Sequence, residues 1–350
     1  MSGDIHIRKE GRAGRITLTR PKALNALSYD MAMAIEAALD DWREDVDVAL
    51  VLIDAEGDKA FCAGGDIQQL YDTGRAGDFA FGRRFWADEY RLNAKIAEYP
   101  KPYVALMQGF VMGGGVGISC HGSHRVTCES TQIAMPECGI GLVPDVGGSL
   151  LLARAPGRMG EYLGTSGTRM GPEDAIYSGF ADIYVPQAKW DDLRVALIET
   201  GDPAVIDAAT ETPPTGTLRS IEPQVAAHFG GERLGDIVNS LRADDSDFAT
   251  QTLKALSRGS PLSMACAVEM IHRLRGPGAD IRRALGLEYR FTYRAMEEGD
   301  FLEGIRAAII DKDRAPHWQH ALESLPITAV SSMLRPLGAE ALTFEREATT

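Results

Sequence analysis

Residues 61–66 of this chain read Phe-Cys-Ala-Gly-Gly-Asp, and residues 113–115 are three consecutive glycines. Each stretch stands where an apolar run gives way to residues that can begin a helix, so unpaired backbone N–H groups can point into one cleft. Glycine suits such positions because it lacks Cβ and lets a ligand approach the backbone closely. These two stretches, named here the first and second glycine turns, predict a pair of backbone donors suited to an oxyanion.

Two carboxylates follow the glycine turns, at opposite ends of one later turn. Glu137 and Asp145 flank residues 141–144, which read Gly-Leu-Val-Pro. Carboxylates supply the acid–base or nucleophilic group that two backbone donors lack. Taken alone, Glu137 fits a turn cap and Asp145 fits a helix N-cap, which is the commoner use of such an aspartate. Their order after both glycine turns favours a catalytic interpretation.

The chain as a whole has the composition of a globular protein. Its 350 residues, of which 45% are hydrophobic, suffice for one large domain or a domain with an extension. A net charge of −14 argues against nucleic acid as the main ligand, and a polyanionic ligand would need a local basic mouth. No apolar stretch approaches the roughly 20 residues of a membrane span, and residues 1–4 lack the pattern of a signal peptide. We therefore expect a soluble, cytoplasmic protein.

The cysteines are odd in number and lie in a chain too large to need disulfides, which predicts reduced thiols. They are Cys62, Cys120, Cys128, Cys138 and Cys266. Residues 120–128 contain two cysteines and two histidines, but their spacing is not a standard zinc pattern, so no metal is expected there. Cys138 lacks an accompanying histidine-centred motif, and we interpret it as a small buried thiol rather than a nucleophile.

The hydrophobic pattern predicts alternating strands and helices before residue 205. The expected elements are a hairpin over 5–19, a helix over 29–42 capped by Ser28, strands over 49–53, 103–107 and 131–135, a helix opened by the second glycine turn, and a helix beginning within 144–148. Residues 210–217 have the composition of a linker or long surface loop. Beyond them the chain is predicted to be mostly helical.

Three motifs resemble the crotonase, or enoyl-CoA hydratase/isomerase, superfamily. They lie at residues 20–27, 59–67 and 112–117. Residues 135–148 and 300–318 are similar to the thioester-hydrolysing branch of this superfamily, which extends the resemblance over nearly the whole chain. The resemblance implies an α/β fold, a crotonase-like spiral of ββα units with a helical C-terminal region. We place the catalytic core at residues 1–205 and the helical region that completes the hydrolase at 206–350.

The resemblance also assigns roles to individual residues. It implies that the backbone N–H groups of Gly65 and Gly114 form an oxyanion hole and that Glu137 and Asp145 are active-site carboxylates. Glu89 matches a substrate-contacting acidic residue, although a charged residue in so arginine-rich a helix is more commonly a surface group. The predicted site residues are Glu137, Asp145, Gly65 and Gly114 for catalysis, and these four with Glu89, Ala63 and Asp66 for substrate binding.

Two positions favour thioester cleavage over hydration. Hydratases of this superfamily usually place a second catalytic glutamate just after the glycine cluster, where this chain has Gly117. They also commonly have a glycine at the position that Asp145 occupies in this chain. The resemblance thus implies hydrolysis of a short 3-hydroxyacyl-CoA in valine breakdown, with 3-hydroxyisobutyryl as the acyl group and 3-hydroxypropionyl as a further candidate. An enoyl-CoA hydratase or isomerase and a non-catalytic acyl-CoA-binding protein remain the alternatives.

The predicted reaction needs no cofactor, because CoA is part of the substrate and neither a metal, a nicotinamide nor a flavin is required. A thiol with a pKa of about 8.5 leaves without a strong acid. Glu137 either activates water or attacks the carbonyl to give an anhydride, and the sequence does not distinguish the two. The expected partner is the acyl-CoA substrate, with neither nucleic acid nor membrane. Members of the family that this chain resembles often form oligomers through helical surfaces, so a homo-oligomer is a possible state of this protein.

Overall fold

The computed structural model describes residues 3–345. Residues 1, 2 and 346–350 lie outside this part. The start of the predicted catalytic core (1–205), the end of the predicted helical region (206–350) and part of the segment 1–4 therefore lie outside the described residues. The strands are β1 (Ile5–Glu10), β2 (Ala13–Leu18), β3 (Leu50–Ala55), β4 (Ala60–Cys62), β5 (Tyr103–Met107), β6 (Phe110–Met112), β7 (His124–Thr127), β8 (Gln132–Ala134) and β9 (Ile183–Tyr184).

The α-helices outnumber the strands among the described residues. They are α1 (Tyr29–Arg43), α2 (Gln68–Arg75), α3 (Phe79–Ala97), α4 (Gly114–Ser119), α5 (Gly148–Arg154), α6 (Met159–Ser166), α7 (Pro172–Tyr177), α8 (Trp190–Thr200), α9 (Leu218–His228), α10 (Leu234–Arg242), α11 (Asp247–Leu256), α12 (Pro261–Leu274), α13 (Ile281–Ala295), α14 (Phe301–Ile305) and α15 (Ile327–Met333). Short 3₁₀ turns lie at Pro21–Ala23, Glu137–Ile140, Gln187–Lys189, Pro203–Ala209 and Gly338–Glu340, and a π-helical turn lies at Arg306–Ile310.

The first elements confirm the sequence prediction. Strands β1 and β2 form the expected antiparallel hairpin, with Ile5 opposite Leu18. The Ser28 hydroxyl accepts a hydrogen bond of 3.3 Å from the Met31 N–H and so caps α1, as predicted. Strand β5 has the predicted bounds, and α4 begins within the second glycine turn, also as predicted.

Two sheets organise the strands. A six-stranded sheet has the order β1-β2-β3-β5-β7-β9, and a three-stranded sheet has the order β4-β6-β8. All neighbours after the first hairpin are parallel. Each of the pairs β3–β4, β5–β6 and β7–β8 places its first strand in the larger sheet and its second in the smaller one. The succession of strand pairs followed by helical segments confirms the predicted ββα units.

The core of the larger sheet lies between its strands and α8. Strands β3 and β5 are almost wholly apolar and buried, as parallel strands covered on both faces usually are. The indole N–H of Trp190, at the start of α8, donates a hydrogen bond of 3.0 Å to the Val185 carbonyl. This bond anchors α8 and satisfies the polar atom of a fully buried aromatic side chain.

The chain divides into two compact units. The first unit comprises the described residues up to Asp66, Lys95–Ala134 and Arg169–Arg219; the second comprises Ile67–Ala94, Met135–Thr168 and the described residues from Ser220 onward. The boundary after residue 205 stays a prediction. Residues 210–216 form neither helix nor strand, and helices predominate after them, as predicted. Within residues 3–345 no helix is long and apolar enough to span a membrane.

Candidate active site

The two glycine turns lie against each other in the first unit. Strands β4 and β6 are parallel neighbours that end at Cys62 and Met112, so their carboxyl ends meet at one edge of the three-stranded sheet. A Cβ placed on Gly64 would lie 3.7 Å from the Met112 carbonyl oxygen. A Cβ placed on Gly115 would lie only 2.2 Å from the Cys62 carbonyl oxygen. The glycines therefore permit a close backbone approach between the two turns.

The backbone of both turns leaves N–H groups available. Gly113 has φ 47° and ψ −121° and precedes α4, so Gly114 is the first helical residue and its N–H has no intrahelical acceptor. In the first turn the Asp66 N–H donates to the Leu27 carbonyl over 2.8 Å, whereas no bond from the Gly65 N–H is found within the described part of the chain. This arrangement is compatible with the predicted oxyanion donors.

Ala63 and Asp66 already have protein partners beside Gly65. The Ala63 N–H donates to the Leu24 carbonyl over 3.0 Å, which occupies its only backbone donor. The Asp66 carboxylate accepts a hydrogen bond of 3.2 Å from Arg20 Nη2. Their roles in substrate binding stay predictions, and for Asp66 a substrate would have to compete with Arg20.

Glu137 lies in the second unit, at the start of a 3₁₀ turn that follows Pro136. Its side chain is buried, and Oε2 has no hydrogen-bond partner among the described residues. Burial raises the pKa of Glu137 well above its ordinary value, and the charges of Asp145 and Glu288 raise it further. An orphaned carboxylate oxygen in a buried place is the expected state of a group that waits for a water or a substrate.

Asp145 is held by a neighbouring tyrosine. The Tyr90 hydroxyl, from α3, donates a hydrogen bond of 2.7 Å to Asp145 Oδ2. Burial raises the pKa of Asp145 to about 7, and the hydrogen bond from Tyr90 opposes this rise. The following Val146 and Gly147 have φ of 51° and 81°, which turns the chain sharply into α5. Tyr90 is a site residue that the sequence prediction did not include.

Glu288 is a second residue that the sequence prediction missed. This α13 side chain accepts hydrogen bonds from the Gly147 N–H at 2.8 Å and the Ser149 N–H at 3.1 Å, and also from the Ser149 hydroxyl. Burial raises the pKa of Glu288 to about 8, although these hydrogen bonds oppose the rise. Glu288 therefore caps the start of α5 and fixes the turn that carries Asp145. Its signal in the sequence is a carboxylate on the apolar stripe of an amphipathic helix.

Glu89 is buried on α3, so its alternative interpretation as a surface group is wrong. Only 4% of the residue is exposed, and Oε1 has no partner among the described residues. Burial raises the pKa of Glu89 to about 8, and the charge of Asp145 contributes to the rise. The second unit thus brings Glu89, Glu137 and Asp145 into one electrostatically coupled cluster, named here the carboxylate cluster. Tyr90 favours Asp145 as its ionised member.

The cysteines do not add a nucleophile to this cluster. All five are free and buried. The Cys138 thiol donates a hydrogen bond of 3.3 Å to the Gly164 carbonyl, and burial raises its pKa well above the ordinary value. Cys138 is therefore a protonated thiol at neutral pH, as the buried-thiol interpretation requires. Within residues 3–345, no group of three or more His, Cys, Asp or Glu residues is arranged to hold a metal ion.

Comparison with known proteins identifies the family of this chain. Residues 13–334 match the family model described as enoyl-CoA hydratase/isomerase. A solved structure of an enoyl-CoA hydratase from Rhodobacter sphaeroides 2.4.1 is 56% identical, with a TM-score of 0.93 over 97% of this chain and 100% of that one. The chain therefore belongs to the enoyl-CoA hydratase/isomerase family and has the crotonase fold.

Curated relatives place the chain more narrowly. The 3-hydroxyisobutyryl-CoA hydrolase of Gallus gallus is 37% identical, across 96% of this chain and 90% of that protein. The Homo sapiens hydrolase of the same name is 34% identical, across 97% and 91%. A solved structure of a carnitinyl-CoA dehydratase from Mycobacterium thermoresistibile is 38% identical, with a TM-score of 0.93 over 99% of this chain and 100% of that one.

The same relatives correct the predicted location. Both hydrolases carry the designation mitochondrial in their names, so the prediction of a cytoplasmic protein is wrong. That prediction depended on charge and hydropathy. Those properties report on solubility and membrane insertion, but they do not specify the compartment in which a soluble protein works.

Proposed function

We propose that this enzyme hydrolyses the thioester of 3-hydroxyisobutyryl-CoA to the free hydroxy acid and CoA. The observation that carries the proposal is the buried carboxylate cluster of Glu89, Glu137 and Asp145, in which Asp145 is held by the hydrogen bond from Tyr90. The similarity to curated 3-hydroxyisobutyryl-CoA hydrolases over nearly the whole chain supports the same reaction. We place the reaction in valine breakdown, the role that the family resemblance implies.

Each predicted site residue has a role in the hydrolysis of the thioester. The N–H groups of Gly65 and Gly114 stabilise the oxyanion that forms when the carbonyl is attacked. Glu137 activates the attacking water or attacks the carbonyl itself to give an anhydride that water then opens. Glu89 accepts a hydrogen bond from the substrate hydroxyl, and Asp145 orients the water or assists proton transfer. CoA departs as a thiolate, which needs no strong acid.

The proton balance of the cluster sets the pH dependence. Glu137 acts as a base or nucleophile only when it is ionised, and burial together with the charge of Asp145 raises its pKa. Hydrolysis therefore accelerates as the pH rises through the pKa of Glu137. The same crowding keeps the cluster from carrying full charge before substrate enters, because neighbouring buried carboxylates do not all ionise together.

Hydration of an enoyl-CoA is the second candidate, and one observation favours it. The R. sphaeroides structure, 56% identical to this chain, bears the name enoyl-CoA hydratase. Against it stands Gly117, in the place where hydratases of the family usually carry their second catalytic glutamate. Gly117 lies buried within α4 and brings no acid–base group. We therefore keep hydrolysis as the proposed reaction.

The test presents both reactions to the same purified protein. Thiol release is measured with 3-hydroxyisobutyryl-CoA and 3-hydroxypropionyl-CoA, and loss of the conjugated double bond is measured with crotonyl-CoA. We expect thiol release from the hydroxyacyl esters and negligible hydration. Hydration without thiol release would establish the second candidate, whereas inactivity in both assays would favour an acyl-CoA-binding role. The mass of the native protein in solution tests the further prediction of a homo-oligomer.

A further inference from the structure

Asn93 is a buried side chain whose polar atoms the proposed mechanism does not use. It lies on α3 and is wholly inaccessible to solvent. Neither its amide nitrogen nor its amide oxygen has a hydrogen-bond partner among the described residues. Burying an amide without partners is costly, so such a group in a folded protein calls for an occupant that satisfies it.

The position of Asn93 connects it with the carboxylate cluster. It follows Glu89 by four residues and Tyr90 by three, and residues at these spacings share one face of a helix. Tyr90 reaches Asp145 from this face, and the charge of Asp145 acts on Glu89. Glu89 Oε1, like both Asn93 atoms, is buried without a partner. One helix face thus carries Tyr90, which reaches the cluster, together with the unpaired polar atoms of Glu89 and Asn93.

The chemistry of these groups defines the occupant. Asn93 offers two N–H donors and a carbonyl acceptor, and the Glu89 carboxyl offers a further acceptor. An anion does not fit, because neither side chain carries a positive charge and Glu89 and Asp145 are acidic. A neutral hydroxyl fits, since it donates one hydrogen bond and accepts others.

We propose that Asn93 binds the 3-hydroxyl group of the acyl chain together with Glu89 and so makes the enzyme selective for hydroxyacyl thioesters. The inference rests on the proposed hydrolase function and names the part of the substrate that its specificity depends on. A site that hydrogen-bonds a substrate hydroxyl rejects the analogue that lacks it, because its buried polar groups are then left unpaired. Asn93 accordingly discriminates 3-hydroxyisobutyryl-CoA from isobutyryl-CoA.

The test compares these two esters in the wild-type enzyme and in Asn93→Leu, a substitution of similar size that removes both polar atoms. We expect kcat/KM for 3-hydroxyisobutyryl-CoA to fall about tenfold or more. The value for isobutyryl-CoA, and its inhibition constant as a competitor, should stay within about twofold. An equal loss of kcat/KM with both esters would overturn the inference and would indicate that Asn93 has a structural role or binds a fixed water. No loss of kcat/KM with either ester would also overturn it.

The matched control is a substitution that removes another buried polar atom without a partner, at a position far from Asn93 in the sequence. Ser178 is buried in the first unit, and its hydroxyl has no partner among the described residues. Ser178→Ala should leave the ratio of the two kcat/KM values unchanged. A thermal melt of Asn93→Leu separates misfolding from lost recognition, because removing an unpaired buried amide should not lower the melting temperature. Absence of thiol release in the wild-type enzyme would instead contradict the proposed function itself.

Discussion

The Tyr90 hydroxyl and the Asp145 carboxylate form a buried hydrogen bond of 2.7 Å. Because the bond donates to the ionised form of Asp145, it lowers the pKa that burial has raised to about 7. Asp145 is thereby the member of the carboxylate cluster that ionises most readily. This assignment makes the protonation of the cluster depend on a tyrosine that takes no part in the bond-making steps.

Tyr90→Phe should shift the acid limb of the kcat/KM pH profile downward. Loss of the donor raises the pKa of Asp145, so Asp145 carries less charge near neutral pH. The pKa of Glu137, the group that must ionise, is then raised less by that charge. Tyr289→Phe is the matched control, since the Tyr289 hydroxyl donates to the Arg83 carbonyl and not to a carboxylate. An unmoved acid limb in Tyr90→Phe would show that the charge of Asp145 does not influence the ionisation of Glu137.

Glu89→Gln should be more stable than the wild-type protein at pH 8. Burial raises the pKa of Glu89 to about 8, whereas the unfolded chain ionises near the ordinary value, so the folded state holds more protons in between. The stability that this group contributes is complete below the unfolded pKa and is lost as the pH rises through the folded one. Its slope is at most about 1.4 kcal/mol per pH unit.

Urea denaturation of both proteins between pH 5 and pH 8 checks this expectation. The excess stability of Glu89→Gln should shrink as the pH falls toward 5, because the pH then approaches the pKa at which the unfolded chain takes up the proton that the folded wild-type carboxyl already holds. A variant no more stable than wild type at pH 8 would indicate that Glu89 is ionised in the folded protein at little cost.

Glu288→Ala should destabilise the protein by about 2–4 kcal/mol, because it leaves the buried N–H groups of Gly147 and Ser149 without their acceptor. It should also lower kcat, since those two residues position the turn that carries Asp145. Ser149→Ala removes only the hydroxyl bond and should cost about 1 kcal/mol. Denaturation and steady-state kinetics measure both effects. Equal losses in the two variants would mean that the backbone caps contribute little.

Gly115→Ala should lower the free energy of unfolding by about 1–3 kcal/mol, because the added Cβ would lie 2.2 Å from the Cys62 carbonyl oxygen. Gly286→Ala is the matched control: nothing lies within 4 Å of its Cβ position, and it is inside α13. That control should gain about 0.5–1 kcal/mol from the better helix former. Thermal denaturation compares them, and similar melting temperatures would contradict the close packing of the glycine turns.

The sequence predicted the long elements and missed two of the three strands of the smaller sheet. Helix α1 and strand β5 carry enough periodic residues and clear end signals to be recognised. Strands β4 and β6 are three residues each, too short for an alternating pattern, so the pairing that brings the glycine turns together was not foreseen. Glycine content identified the turns, but only the register of the sheet shows that they touch.

The sequence predicted the carboxylates of the candidate site but missed the residues that form hydrogen bonds around them. Glu137 and Asp145 are recognisable in the sequence because they flank a turn. Tyr90 and Glu288 lie on helices far from that turn in the sequence, and their contacts with it leave no local sequence pattern. Glu89 looked like a surface group because arginines surround it in sequence. The structure shows that Arg83 and Arg91 pair instead with Glu297 and Asp88, at 2.8 and 2.6 Å.

Thiol release by Glu137→Gln, set beside the wild-type enzyme with 3-hydroxyisobutyryl-CoA, tests the central claim most directly. The amide keeps the size of the side chain but neither attacks the carbonyl nor takes a proton from water, so we predict a fall in kcat of at least about a hundredfold. Binding of the ester should remain measurable. Turnover close to that of the wild-type enzyme would contradict the role of Glu137 and with it the proposed mechanism.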